Sequence, residues 1–194
     1  MNLRVFRIVL WSLVVVIALA AGYLYMFVKP TTARFGGGDY ALTTGAGQPF
    51  TAQSLVGGPS MLFFGYTHCP DVCPTTLSEM ATWFEQLGDT GKPLRAFFVT
   101  VDPERDTPAV INDYVHAVSD RVTGVTGSRA DIDKIETAWG VYAKKVPLKD
   151  GDYSMDHTAT VYLIDSKGQF EGTIAYEEDS ATALQKLKNL IAKG

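Results

Sequence analysis

Cys69 and Cys73 are the only two cysteines in the 194-residue chain, so whatever sulfur does in this protein happens at one place. Their loop reads Tyr66-Thr67-His68-Cys69-Pro70-Asp71-Val72-Cys73-Pro74; it leaves an apolar, strand-like stretch and enters a helical one. At a helix N-terminus the partial positive charge favours thiolate over thiol, which tunes the pair for nucleophilic attack or metal ligation. A spacing of four brings both sulfurs to one side of a helical turn, where they can close a disulfide or pinch one soft metal ion. CxxxC by itself does not decide between redox and metal work, and a third group is needed. His157 is the best candidate, because it lies in the loop before a strand-like run, and that loop can pass beside the one that carries the cysteines. His68 is weaker, since a residue adjacent to Cys69 usually points away from the site, and His116 falls among solvent-side positions of a helix.

The elements that must hold these residues alternate between strand-like and helix-like, which predicts an α/β domain with helices covering a sheet. Met61 to Tyr66 and Leu94 to Asp102 read as strands, with a helix from about Thr75 to Gly88 between them, forming a βαβ unit. Asp106-Thr107-Pro108 opens a second helix, with Thr107 as its cap and Pro108 at the first helical position, and Ser128 with Asp131 resembles a capping box before a third. Thr158 to Asp165 and Gln169 to Tyr176 make a hairpin, and Asp179 or Ser180 caps a last helix running to Lys193.

Ahead of this domain, Ile8 to Val28 is a run of 21 residues without a charge, roughly 31 Å long as a helix at about 1.5 Å per residue. That length spans a hydrocarbon core of about 30 Å. Trp11, Tyr23 and Tyr25 sit near its ends, and Arg4, Arg7 and Lys29 bracket it. A cleaved signal peptide is the alternative, with Ala18-Leu19-Ala20-Ala21 as its small-residue string, but the apolar run continues past that point. The expected organisation is a membrane anchor over residues 1–29, a flexible Gly-containing linker over 30–39 and an α/β domain over 40–194. Of 17 basic and 21 acidic side chains, the anchor takes Arg4, Arg7 and Lys29 and no acid; the remainder has 14 against 21, a formal charge of −7. An acidic domain is poorly suited to gripping phosphate backbones, so no nucleic-acid partner is expected. No phosphate-binding glycine loop occurs either.

Three stretches, FFGYTHCPDVCPTTL (Phe63 to Leu77), VTVDPERDTP (Val99 to Pro108) and DHTATVYLID (Asp156 to Asp165), resemble the Sco/SenC family in type and order. Members of that family are membrane-anchored, thioredoxin-like copper chaperones for cytochrome c oxidase assembly. The resemblance implies a thioredoxin-like fold after a single N-terminal transmembrane helix. It implies copper, as Cu(I) and Cu(II), held by Cys69, Cys73 and His157. It also implies delivery to the oxidase subunit carrying the binuclear copper centre, from a bacterial inner membrane with the domain facing the periplasm. Two thiolates and an imidazole suit Cu(I), and hold Cu(II) if water or a carboxylate completes the shell; Asp71 and Asp156 are the nearby carboxylates in sequence. Thiols kept reduced in an oxidising compartment need a separate thiol reductant, and a second copper carrier is a further expected partner. The same two cysteines could instead act catalytically, as a thiol-disulfide oxidoreductase on that oxidase subunit. A general thioredoxin would show CxxC, and a peroxiredoxin a Thr three residues before the cysteine, where Tyr66 stands.

Overall fold

The computed structural model describes residues 2–27, 35–149 and 151–193. They form two units, one within residues 1–33 and one spanning 34–194. The first unit is a single helix, α1 (Leu3–Phe27). Its described side chains run unbroken only from Val9 to Ala20, and among the described residues no helix is long and apolar enough to cross a membrane. The expected anchor therefore stands on the sequence of Ile8 to Val28, part of which lies outside the described residues, as does half of the expected linker.

The second unit is built on seven strands: β1 (Leu42–Thr44), β2 (Pro49–Phe50), β3 (Ser60–Gly65), β4 (Arg95–Thr100), β5 (Val122–Thr126), β8 (Val161–Ile164) and β9 (Phe170–Ile174), in the order β2-β1-β5-β4-β3-β8-β9. The centre, β5-β4-β3, is parallel, and β1 and β8 flank it antiparallel. Every residue of β3 is buried, as expected of a central strand covered on both faces. Strands β6 (Ala143–Pro147) and β7 (Tyr153–His157) pair with each other as a separate antiparallel hairpin.

Helix α2 (Val72–Leu87) links β3 to β4, α3 (Pro108–His116) links β4 to β5, α4 (Arg129–Trp139) follows β5, and α5 (Ser180–Lys193) ends the chain. Thr107 caps α3 by accepting the Val110 N–H, Ser128 caps α4 by accepting the Asp131 N–H, and Asp179 accepts the Thr182 N–H at the start of α5. Helix α2 begins three residues before the sequence-based start at Thr75, so Cys73 and Pro74 lie in its first turn. Proline is tolerated there because the first N–H groups of a helix have no intrahelical acceptor. Cys73, Leu77, Met80, Phe84 and Leu87 then recur at helical spacing on one buried stripe.

The ordered domain also begins earlier than residue 40. The Phe35 ring meets those of Trp139 and Phe170 with centroids 5.5 and 5.1 Å apart, and the Gly36 N–H donates to the Ala138 carbonyl. Gly36 has φ +78°, and a side chain there would run into the Trp139 ring.

Candidate metal centre

The site forms where three chain segments meet at the C-terminal end of β3. Strand β8 runs antiparallel to β3 with Val161 opposite Phe63, so the chain entering β8 arrives where the cysteine loop leaves. His157 closes β7 just ahead of that entry rather than sitting in a loop, because Ala143 to Pro147 supply it with a strand partner. Among the described residues, Cys69, Cys73 and His157 bring their ligand atoms within 4.8 Å of one another. His68 bonds to the Thr67 hydroxyl and His116 to the Asn112 carbonyl; neither joins the cluster. Asp71 and Asp156 are exposed and also stand outside it.

Helix periodicity makes the two thiols unequal. Both are free, but Cys73 sits on the buried stripe of α2 and has no exposed surface, whereas Cys69 lies one turn earlier and is partly open. Asp71, at the N-cap, makes no side-chain cap bond; instead the Cys69 sulfur accepts the Cys73 backbone N–H at 3.4 Å. Hydrogen bonding from the Cys73 thiol, then from His157 and the backbone N–H groups of Asp71 and Cys73, lowers the Cys69 pKa to about 3 against the penalty of burial. Cys73 moves the other way: its bond to Cys69, burial and the neighbouring thiolate hold it protonated. The pair therefore carries one proton on the inner sulfur and one negative charge on the outer.

His157 Nε2 lies 3.4 Å from Cys73 Sγ, and its Nδ1 is 3.0 Å from the Thr158 carbonyl oxygen. A carbonyl only accepts, so Nδ1 carries a hydrogen, and Nε2 is the ring nitrogen turned toward the sulfurs. The rings of Tyr66 and Phe63 stand edge-on to the imidazole at 5.8 and 6.3 Å and wall off one side. Gly65, the last residue of β3, lets Cys73 approach: a Cβ there would lie 2.6 Å from Cys73 Sγ and 2.8 Å from the Phe98 ring.

Sequence reasoning missed the groups that fix the loop. Asp106 is fully buried; it accepts the Thr67 N–H at 3.1 Å and hydroxyls from Thr67 and Thr100, each at 2.6 Å. VTVDPERDTP carries its signal, a carboxylate soon after an apolar strand, but by local pattern that carboxylate marks only the opening of a helix. The preceding Arg105 pairs with Asp102, and the Tyr153 hydroxyl donates to the same carboxylate at 2.9 Å.

A model of the SCO1/SenC family matches residues 28–192. The chain belongs to that family. The SCO1/SenC relatives include the mitochondrial protein SCO2 of Saccharomyces cerevisiae, 34% identical over 158 residues, covering 80% of this chain and 52% of that protein. The mitochondrial SCO1 homolog of Homo sapiens is 39% identical over 137 residues, covering 69% and 46%. The chain thus spans about half the length of these curated relatives. Among solved SCO1/SenC structures, Bradyrhizobium japonicum ScoI with copper bound is 45% identical, with TM-score 0.73 over 79% of this chain and 98% of that one. Yeast Sco1 with copper bound is 32% identical, with TM-score 0.74 over 81% and 89%.

Proposed function

We propose that the protein is a membrane-anchored copper carrier that holds one copper ion through Cys69 Sγ, Cys73 Sγ and His157 Nε2. It delivers that ion to the cytochrome c oxidase subunit carrying the binuclear copper centre. The observation that carries this reading is the convergence of two reduced sulfurs and an imidazole nitrogen within 4.8 Å, in a family with copper-bound members. Soft thiolates with one imidazole favour Cu(I), and uptake displaces the proton held by Cys73. The charge-free run Ile8 to Val28 anchors the chain in the bacterial inner membrane, with the domain in the periplasm. There a thiol reductant keeps the pair open, and a second copper carrier supplies the ion.

The reduced full-length protein in detergent should bind about one copper per chain, as one such site requires. Its disulfide form should bind none, and stoichiometric retention by the oxidised form would place the copper elsewhere.

The unequal thiols favour a second reading, a thiol-disulfide oxidoreductase acting on the same oxidase subunit. The Cys69 thiolate attacks the partner disulfide, Cys73 then closes the Cys69–Cys73 bond, and the partner leaves with both sulfurs reduced. His157→Ala separates the two. It should abolish the sulfur-to-Cu(II) absorption while leaving the Cys69–Cys73 reduction potential nearly unchanged. Failed oxidase assembly in cells carrying it supports delivery; normal assembly, with Cys69→Ser still defective, supports the reductase.

A further inference from the structure

Among the described residues, no strand pairing joins the β6–β7 hairpin to the seven-stranded sheet, so beyond the short run of chain from His157 into β8 its placement depends on contacts made by side chains. Met155 is buried against the core, and Tyr66 at the start of the cysteine loop hydrogen-bonds to its backbone. The hold with the most contacts is Arg105, in the turn between β4 and α3. Its guanidinium lies over the Tyr153 ring at 3.7 Å, its Nη1 donates to the Tyr153 carbonyl at 3.0 Å and pairs with Asp152 at 3.2 Å, and its Nε pairs with Asp102. Asp102 is 1% exposed and also accepts the Tyr153 hydroxyl. Cation, ring and carboxylate thus close a ring of contacts between the hairpin and the end of β4. The exposed Lys145–Glu104 pair nearby adds little by comparison.

The turn that bears Arg105 is itself rigid: the N–H groups of Arg105 and Asp106 both donate to the Asp102 carbonyl. Its next residue, Asp106, grips the cysteine loop through Thr67. One short turn therefore holds both halves of the ligand set, the hairpin with Arg105 and the loop with Asp106. We propose that Arg105 is a positioning residue for His157, keeping Nε2 within reach of the sulfurs by clamping β7 to the turn that also fixes the cysteine loop. This rests on the copper reading for its consequence and not for its geometry.

The test uses the full-length reduced protein in detergent, without metal and then with copper. In Arg105→Met, hydrogen exchange of the Tyr153 to His157 amides should rise at least about tenfold while that of β3 and β4 is unchanged. Cu(I) affinity should fall toward that of His157→Ala. Arg105→Lys keeps the charge but cannot stack and reach the Tyr153 carbonyl together, so it should restore Asp102 pairing and only part of the affinity. Because Arg105→Met strips Asp102 of its cation and could unfold the domain, Tyr153→Leu provides the second variant, removing the ring while Arg105–Asp102 remains. It should loosen the same amides. Unchanged exchange in the hairpin in both variants overturns the proposal, as does equal acceleration in β3 and β4, which would mark plain destabilisation. Loosened hairpin amides in a protein whose wild type binds no copper would sink the copper reading and leave the clamp standing.

Discussion

A thiol raised or lowered by its neighbours reacts on a pH profile of its own, and the two sulfurs here should show opposite ones. An ordinary cysteine loses about tenfold in alkylation rate for each pH unit below its pKa. With its pKa lowered to about 3, Cys69 stays a thiolate throughout the range from pH 5 to 8. Iodoacetamide should therefore modify the reduced apo protein at a nearly constant rate across that range, and Cys69→Ser should remove this flat component. The sign for folding follows. A depressed pKa contributes stability that is full above the unfolded value near 9 and fades as the pH falls toward 3. The raised Cys73 value opposes folding only above about pH 9, where the unfolded chain has lost a proton that the folded one keeps. The stability difference between the reduced protein and Cys69→Ser should shrink steadily in urea titrations from pH 8 to pH 4. The three residues that converge were readable in the sequence as candidates, the cysteines from their type and spacing and His157 as the best third group, with the family resemblance naming them together. The inequality of the sulfurs was not, since it depends on which α2 residues face inward, and the helix starts at Val72 rather than Thr75.

Elements with a strong periodic pattern or cap were readable: β3, β4, the helices opened by Thr107 and Ser128, and the β8–β9 hairpin. Those missed lack such signals. Strand β5 carries Gly124 at its centre, the β1–β2 pair is very short, and β6 presents Lys144, Lys145 and Pro147. Hidden strand pairing is why His157 was expected in a loop, and tertiary hydrogen bonding is why Asp106 was read only locally. Two substitutions probe how the elements hold the site. Gly65→Ala forces a methyl group between Cys73 and Phe98, so thermal unfolding should show a loss of about 1–3 kcal/mol. Copper titration should show weaker binding, because the buried sulfur must shift. Asp106→Ala leaves the Thr67 N–H and buried hydroxyls without their acceptor and should cost about 1–3 kcal/mol or more in denaturant titrations. Wild-type stability in either variant would show that these contacts are not needed to hold the loop.

At the scale of the molecule the anchor is the first quantity to measure. Alkaline washing of membranes should leave the protein in the pellet, and protease added to spheroplasts should digest its domain; a mature N-terminus near Ala21 would instead support the cleaved signal peptide. The sequence placed the whole of 30–39 in a linker because its glycines and proline carry no apolar period, and a single aromatic ring gives no period either. Yet Phe35 docks against Trp139 and Phe170, and Gly36 fits against the same indole. The point at which the chain departs from the domain is thus a fastening, and fastenings can be undone. Releasing it would free residues 35–39 from the domain, each worth at most about 3.3–3.6 Å of reach. Phe35→Ala should make the peptide bonds around Gly36 to Gly38 cut faster in limited proteolysis while copper binding stays as it was. A substitution at none of the three site residues would then alter where the domain begins and leave its chemistry untouched.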